Sequence, residues 1–104
     1  METRIVLVTT PSEEIASQIA TTLVTETLAA CVNIVPNIRS IYSWQGKIED
    51  EKECLMLIKT TLNKITDLEH RLHEIHPYET PEFIALLPDA ISKGYESWLL
   101  STLK

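Results

Sequence analysis

The sequence predicts an α+β domain in which one four-stranded sheet carries two helices on one face, with a short extra helix at the C-terminal end. Three observations carry that prediction. Apolar residues recur at helical spacing in two separate stretches, 15–24 and 62–75. Short aliphatic, largely β-branched runs occupy the intervals around them, and turn formers (Pro11, Gln45-Gly46, Pro77) fall at the joints.

Taken in order, Ile5-Val6-Leu7-Val8 ends at Thr9-Thr10-Pro11 and reads as a strand buried on both faces, hence central in its sheet. Ser12 caps a helix over 13–28, with Glu13 and Glu14 in the first turn and Ile15, Ile19 and Leu23 along one stripe. Cys31 to Trp44 is strand-like, and Pro36, which removes a ladder donor, calls for a bulge at Pro36-Asn37. Gln45-Gly46 turns the chain back through Lys47-Ile48 into Glu53–Thr60, so these two segments form a long hairpin. Thr61 is placed to cap a second helix, in which Leu62, Ile65, Leu68, Leu72 and Ile75 share a face until Pro77 ends it. Residues 82–87 read as a last strand stopped by Pro88, and 90–103 as a terminal amphipathic helix that Gly94 interrupts or weakens. The order β-α-β-β-α-β plus a helix is the ferredoxin-like sandwich, a single domain over 1–104.

That arrangement leaves one sheet face without helices. Leu55 and Leu57 alternate with Cys54, Met56 and Ile58, so both faces of the third strand are apolar. A second copy of the chain is the expected cover; the alternative is that the terminal helix folds across the face alone.

Composition narrows the function. Fifteen acidic against nine basic side chains leave a charge of −6, a field that repels phosphate backbones and anionic lipid, so nucleic-acid and membrane-surface roles are not expected. No apolar run approaches the roughly 20 residues of a bilayer span, and Met1–Ile5 enters a strand without a signal-like segment, which points to the cytoplasm. Cys31 and Cys54 read as reduced thiols, and no C-x-x-C pair is present for a zinc knuckle.

Six blocks, Thr9-x-Pro11, Leu28–Val32, Ser40–Lys47, Leu57–Thr61, His76-Pro77-Tyr78-Glu79-Thr80-Pro81-Glu82 and Tyr95-x-x-Trp98-Leu99, strongly resemble the CutA family of divalent-cation tolerance proteins. The resemblance covers essentially the whole chain. It implies a ferredoxin-like homotrimer that binds copper or another divalent cation and is not an enzyme. It also implies copper ligands, a thiolate ending the first strand and a histidine pair before the Pro-Tyr segment, where this chain has Val8 and, for the first histidine, Ile75. Neither side chain donates an electron pair, so a copper site here needs other donors.

The candidate metal ligands are His76 at a helix end, Glu79 and Glu82 in the loop beside it, and Cys31, a soft donor that equally suits a core position. Tyr78 and Lys59 are candidates for holding a ligand or a subunit contact, Lys59 through a free ammonium that also suits a salt bridge. Tyr42, Trp44 and Trp98 read as interface or core anchors, or as the lining of an aromatic cleft. His70 and His73, three apart, are a surface pair with weak metal-binding capacity, and successive steps of three turn His76 away from His70. Two other functions compete with cation binding: an intersubunit enzyme using His76 as acid or base, which lacks any nucleophile motif, and a signalling scaffold whose hairpin contacts an unidentified protein partner.

Overall fold

A computed structural model describes residues 1–104. Its elements are β1 (Thr3–Thr10), α1 (Glu13–Thr25), β2 (Cys31–Trp44), β3 (Lys47–Thr61), a single 3-10 turn (Leu62–Lys64), α2 (Ile65–Ile75), β4 (Ile84–Leu86) and α3 (Lys93–Thr102). The four strands pair in the order β2-β3-β1-β4, every pair antiparallel, so β1 is interior as its aliphatic run requires.

Ser12 accepts a hydrogen bond from the Ile15 N–H and starts α1, which buries Ala16, Ile19 and Leu23. The helix stops three residues short of the expected 28. Thr27 turns into the left-handed region at φ 55°, and the N–H groups of Leu28 and Ala29 both reach back to the Leu23 carbonyl. Leu28 therefore packs against the core from beyond the helix end, which is why the apolar period runs on past it. On α2, Leu68 and Leu72 are fully buried. Thr61 is not its cap, because it remains in β3 and the 3-10 turn intervenes. With Val6, Val8, Cys54, Met56 and Ile58 of the sheet, these side chains make one core between the helices and one sheet face. Each fully buried Val, Leu, Ile or Met among them stabilises the fold by about 1.5–3 kcal/mol.

β4 is shorter than the expected 82–87 and pairs only with Ile5–Leu7. The terminal helix begins at Lys93, capped by Ser92, which puts Gly94 harmlessly in the first turn. Its Leu99 and Leu103 pack on Ala30 in a small second cluster at one end of the sheet, while Tyr95 and Trp98 stay exposed, so Trp98 is not a core anchor. α3 thus does not close the open face. Register places Ile5, Leu7, Leu55 and Leu57 on that face with Val35, Ile84 and Leu86, the last three exposed.

The β2–β3 hairpin outruns the sheet. β1 pairs with β3 only from Cys54 onward, leaving the stretch from Ile38 through the turn to Glu53 as a two-stranded ribbon. The molecule is accordingly long, 44 × 27 × 22 Å. Gln45 and Gly46, at φ 49° and 80°, form the mirror-image turn that matches strand twist. The ribbon is the site's main wall.

Candidate functional site

The bulge decides what the ribbon presents. Between Val35 and Ile38, two residues of β2, Pro36 and Asn37, oppose one of β3, and Asn37 takes φ 59° to allow it. Each extra residue reverses the facing of every later side chain on that strand. Beyond the bulge the cross-strand pairs are Ile38 with Glu53, Ser40 with Glu51, Tyr42 with Glu49 and Trp44 with Lys47. Paired residues share a face, so Tyr42 and Trp44 lie alongside Glu49, Glu51 and Glu53.

The α2–β4 loop forms the opposite wall. Between the two lies a cleft of about 860 Å³, whose lining includes Tyr42, Trp44, Glu49, Glu51, Glu53, Tyr78, Glu79 and Glu82. Glu53 is 6% exposed, and the Tyr78 hydroxyl donates to its Oε2 at 2.7 Å. Burial raises the Tyr78 pKa first, and the Glu53 carboxylate raises it further by bond and charge. Burial and then Glu53 raise that of Glu82. Tyr42 is shifted up by desolvation and then by Glu51, Glu53 and Glu49. The one basic lining residue, Arg39, is spent elsewhere: its guanidinium grips Asp50 through two bonds of 2.8 and 2.6 Å, and Asp50 is not in the lining.

His76 holds the loop in place. Its Nε2 lies 2.8 Å from the Thr9 carbonyl oxygen, which can only accept, and its Nδ1 lies 3.0 Å from the Tyr78 backbone nitrogen, whose N–H can only donate. Only the neutral tautomer with hydrogen on Nε2 satisfies both. Burial accordingly lowers the His76 pKa, against the opposing effects of the Thr9 bond and Glu53. The His76 and Tyr78 rings stand 4.7 Å apart.

The residues singled out in the sequence thus divide into two groups. His76, Tyr78, Glu79, Glu82, Tyr42 and Trp44 gather around or behind the cleft. Cys31 and Lys59 pair at the other end of the sheet, near Ile5 rather than Thr9, four residues or about 13 Å away along β1. There the Lys59 ammonium lies 4.0 Å from the Cys31 sulfur and bonds the Asn33 side-chain oxygen, with no carboxylate partner, so the expected salt bridge is not made within the chain. Burial and the neighbouring Cys31 raise the pKa of Tyr95, whose ring lies 5.5 Å from that of Trp98 at a tilt of 40°. Cys54 faces the helices and Cys31 the open side, so the two thiols cannot join.

Copper does not fit a ligand set drawn from His76 and Cys31 in one chain. Both imidazole nitrogens of His76 are engaged, the thiol is at the far end, and no three His, Cys, Asp or Glu side chains converge as a metal site. On the outer side of α2, His73 Nδ1 lies 2.9 Å from the Glu69 carbonyl oxygen and His70 lies 4.0 Å from Glu74, both exposed. Glu49, Glu51 and Glu53 escaped notice in the sequence. Their signal was the alternation 49-51-53, in step with Leu55 and Leu57.

The family model of the CutA1 divalent ion tolerance protein matches residues 4–102. The chain belongs to this family. The divalent-cation tolerance protein CutA of Thermus thermophilus is 48% identical over 95 residues, covering 91% of this chain and 92% of that one. CutA from Xylella fastidiosa superposes with a TM-score of 0.96 at 36% identity over 100% of both chains. A structure from Archaeoglobus fulgidus, described as a periplasmic divalent cation tolerance protein CutA, gives 0.94 at 35% identity over 98% of this chain and 99% of that one. The chain spans about half the length of the mouse and human CutA proteins it matches, 52% and 51%. No helix is long and apolar enough to cross a membrane.

Proposed function

We propose that this CutA-family chain is a homotrimeric, non-catalytic, cytoplasmic protein of divalent-cation tolerance that binds its cation in the carboxylate cleft. The observation that carries this reading is the cleft's unbalanced charge: five glutamates line it, and its one basic residue is neutralised by Asp50. Oxygen donors suit magnesium-like and borderline ions. Copper, the ion implied by the resemblance, would be held here as copper(II) on carboxylate oxygen instead of thiolate and imidazole. His76, with both nitrogens occupied, offers no general base, which supports the non-catalytic reading.

Self-association is supported by the open face and by the ribbon, since a two-stranded hairpin is at best marginally stable alone in water. Calorimetric titration of chelator-treated protein with magnesium, zinc and copper(II) tests the site. Glu53→Gln combined with Glu82→Gln is expected to weaken binding at least about tenfold, the equivalent of one charge-assisted contact. Equal heats from both proteins would remove the cleft as the site. Sedimentation tests the trimer: a compact single chain at micromolar concentration would defeat it.

The face of the ribbon away from the cleft favours a second reading. It carries Ile41 and Ile48, the latter 75% exposed, diagonal to each other across the strands, since Ile41 pairs with Asp50 and Ile48 with Ser43. A protein partner held there would make the trimer a scaffold, and a stoichiometric partner lost on Ile48→Lys would support that use.

A further inference from the structure

Tyr78 is the one point at which the loop after α2 is hydrogen-bonded to the rest of the chain. From Pro77 to Phe83 no backbone group joins a helix, strand or turn bond, and no side chain but that of Tyr78 makes a hydrogen bond. The Tyr78 N–H donates to Nδ1 of His76 and its hydroxyl donates to Glu53 of the ribbon, while Nε2 of His76 donates to the Thr9 carbonyl of β1. The three bonds form one chain from the sheet, through the loop, to the far wall of the cleft. Pro81 is buried and Phe83 packs on the core, so apolar contact anchors the loop's second half. Residues 77–80, exposed apart from half-buried Tyr78, hang on the hydrogen-bonded chain alone.

One link in that chain can change its polarity. The Thr9 carbonyl and the Glu53 carboxylate only accept, and the Tyr78 N–H only donates. Nδ1 of His76 accepts while the ring is neutral and donates once it is protonated, which sets two N–H groups against each other across 3.0 Å. The proton has no other place on the ring, because Nε2 already carries the hydrogen given to Thr9. Few groups face the ring. Glu53 of the ribbon favours its charged form, His73 of α2 opposes it, β1 offers only the Thr9 carbonyl, and the Tyr78 phenol from the loop stays neutral. Glu82, later in the loop, faces Glu53. Burial outweighs the groups that favour the charge and keeps the ring neutral at pH 7.5.

We infer that residues 77–80 form a latch over the cleft, released when His76 takes up a proton. Losing the Nδ1 bond frees the Tyr78 backbone, and the hydroxyl leaves Glu53 as that backbone moves out. The cation reading concerns what the cleft holds, whereas the latch decides when the cleft is open. Its test contains no metal, so either can fail without the other.

Hydrogen exchange of the Tyr78 amide in the intact oligomeric protein, followed by NMR and expressed as a protection factor, tests the inference. An opened ring titrating at the ordinary 6.5, against a closed ring that stays neutral, lowers this protection about tenfold between pH 7.5 and 5.5. The fall is expected in wild type and in His73→Gln. It is expected to vanish in His76→Gln and His76→Asn, whose amides donate and accept without titrating and leave Glu53 and Glu82 in place. Because the opening is local, Tyr78 protection should lie far below that of the core amide of Met56 and ignore sub-denaturing urea, which lowers the latter. Flat protection in wild type overturns the inference. An equal fall in both His76 variants also overturns it and assigns the effect to the carboxylates. So does equal, urea-sensitive protection at Tyr78 and Met56, which would mean that the loop opens only when the whole domain unfolds.

Discussion

Replacing His76 tests the device that holds the loop on the cleft. The imidazole joins the Thr9 carbonyl of β1 to the Tyr78 N–H of the loop, and Tyr78 in turn reaches Glu53 of the ribbon. His76→Ala removes two hydrogen bonds, each worth about 1 kcal/mol net, and strands a half-buried carbonyl and N–H whose unsatisfied cost raises the total. The expected loss is about 2–4 kcal/mol, read from urea unfolding at fixed protein concentration, since oligomerisation links stability to concentration. The pH dependence has a definite sign. Burial puts the folded pKa of His76 below the ordinary 6.5, so folding favours the neutral ring. Its stabilisation is fully present above pH 6.5 and is lost as the pH falls below 6.5 through the folded pKa, because a proton on Nδ1 would face the Tyr78 N–H. Glu82, with a raised carboxyl pKa, acts in the opposite direction at lower pH, so the comparison is made against His76→Gln, which keeps Glu82. Wild type should lose stability between pH 7.5 and 5.5 relative to His76→Gln. Parallel curves would refute the tautomer argument.

Four further outcomes follow from single sites. Thr27 is a β-branched residue at φ 55°, so Thr27→Gly should relieve strain and stabilise the chain by about 0.5–1 kcal/mol in urea unfolding; a loss of stability would show that the αL turn is not strained. The Thr3 hydroxyl is buried without a hydrogen-bond partner, so Thr3→Val, of the same shape, should be neutral or stabilising by about 1 kcal/mol, and marked destabilisation would reveal a hidden partner. Leu72→Ala, at the fully buried junction of α2 with the core, should cost about 2–5 kcal/mol in urea unfolding, while Asp50→Asn, which breaks the solvent-screened pair with Arg39, should leave the urea midpoint nearly unchanged.

Most of the fold was legible because its elements are local. Ser12 as a cap, the 3.6-residue stripes of α1 and α2, the Gln45-Gly46 turn and the break at Pro77 are all decided within a few residues. Errors fell where a neighbour overrides the pattern. α1 stops early because Leu28 finds its place in the core after an αL turn, and Thr61 continues β3 because β1 runs alongside it to Thr3.

The site was half legible. The His76–Glu82 loop stood out as a cluster of polar, aromatic and proline residues, but spacing did not show that the fold uses both nitrogens of His76 to tie the loop to β1. Its pairing with Cys31 could not be tested by spacing, since only the register shows that the two lie at opposite ends of the sheet.

By itself the sequence determined the βαββαβ order, the apolar second face, the bulge at Pro36-Asn37 and the excess of acid. Those follow from period, propensity and charge count. Only the tertiary structure decided that Glu49, Glu51 and Glu53 share a wall with Tyr42 and Trp44, and that the loop after α2 closes over them. The physical reason is that one extra residue at the bulge reverses a strand's facing, and long-range hydrogen bonds, such as His76 to Thr9 across 67 positions, leave no trace in local pattern.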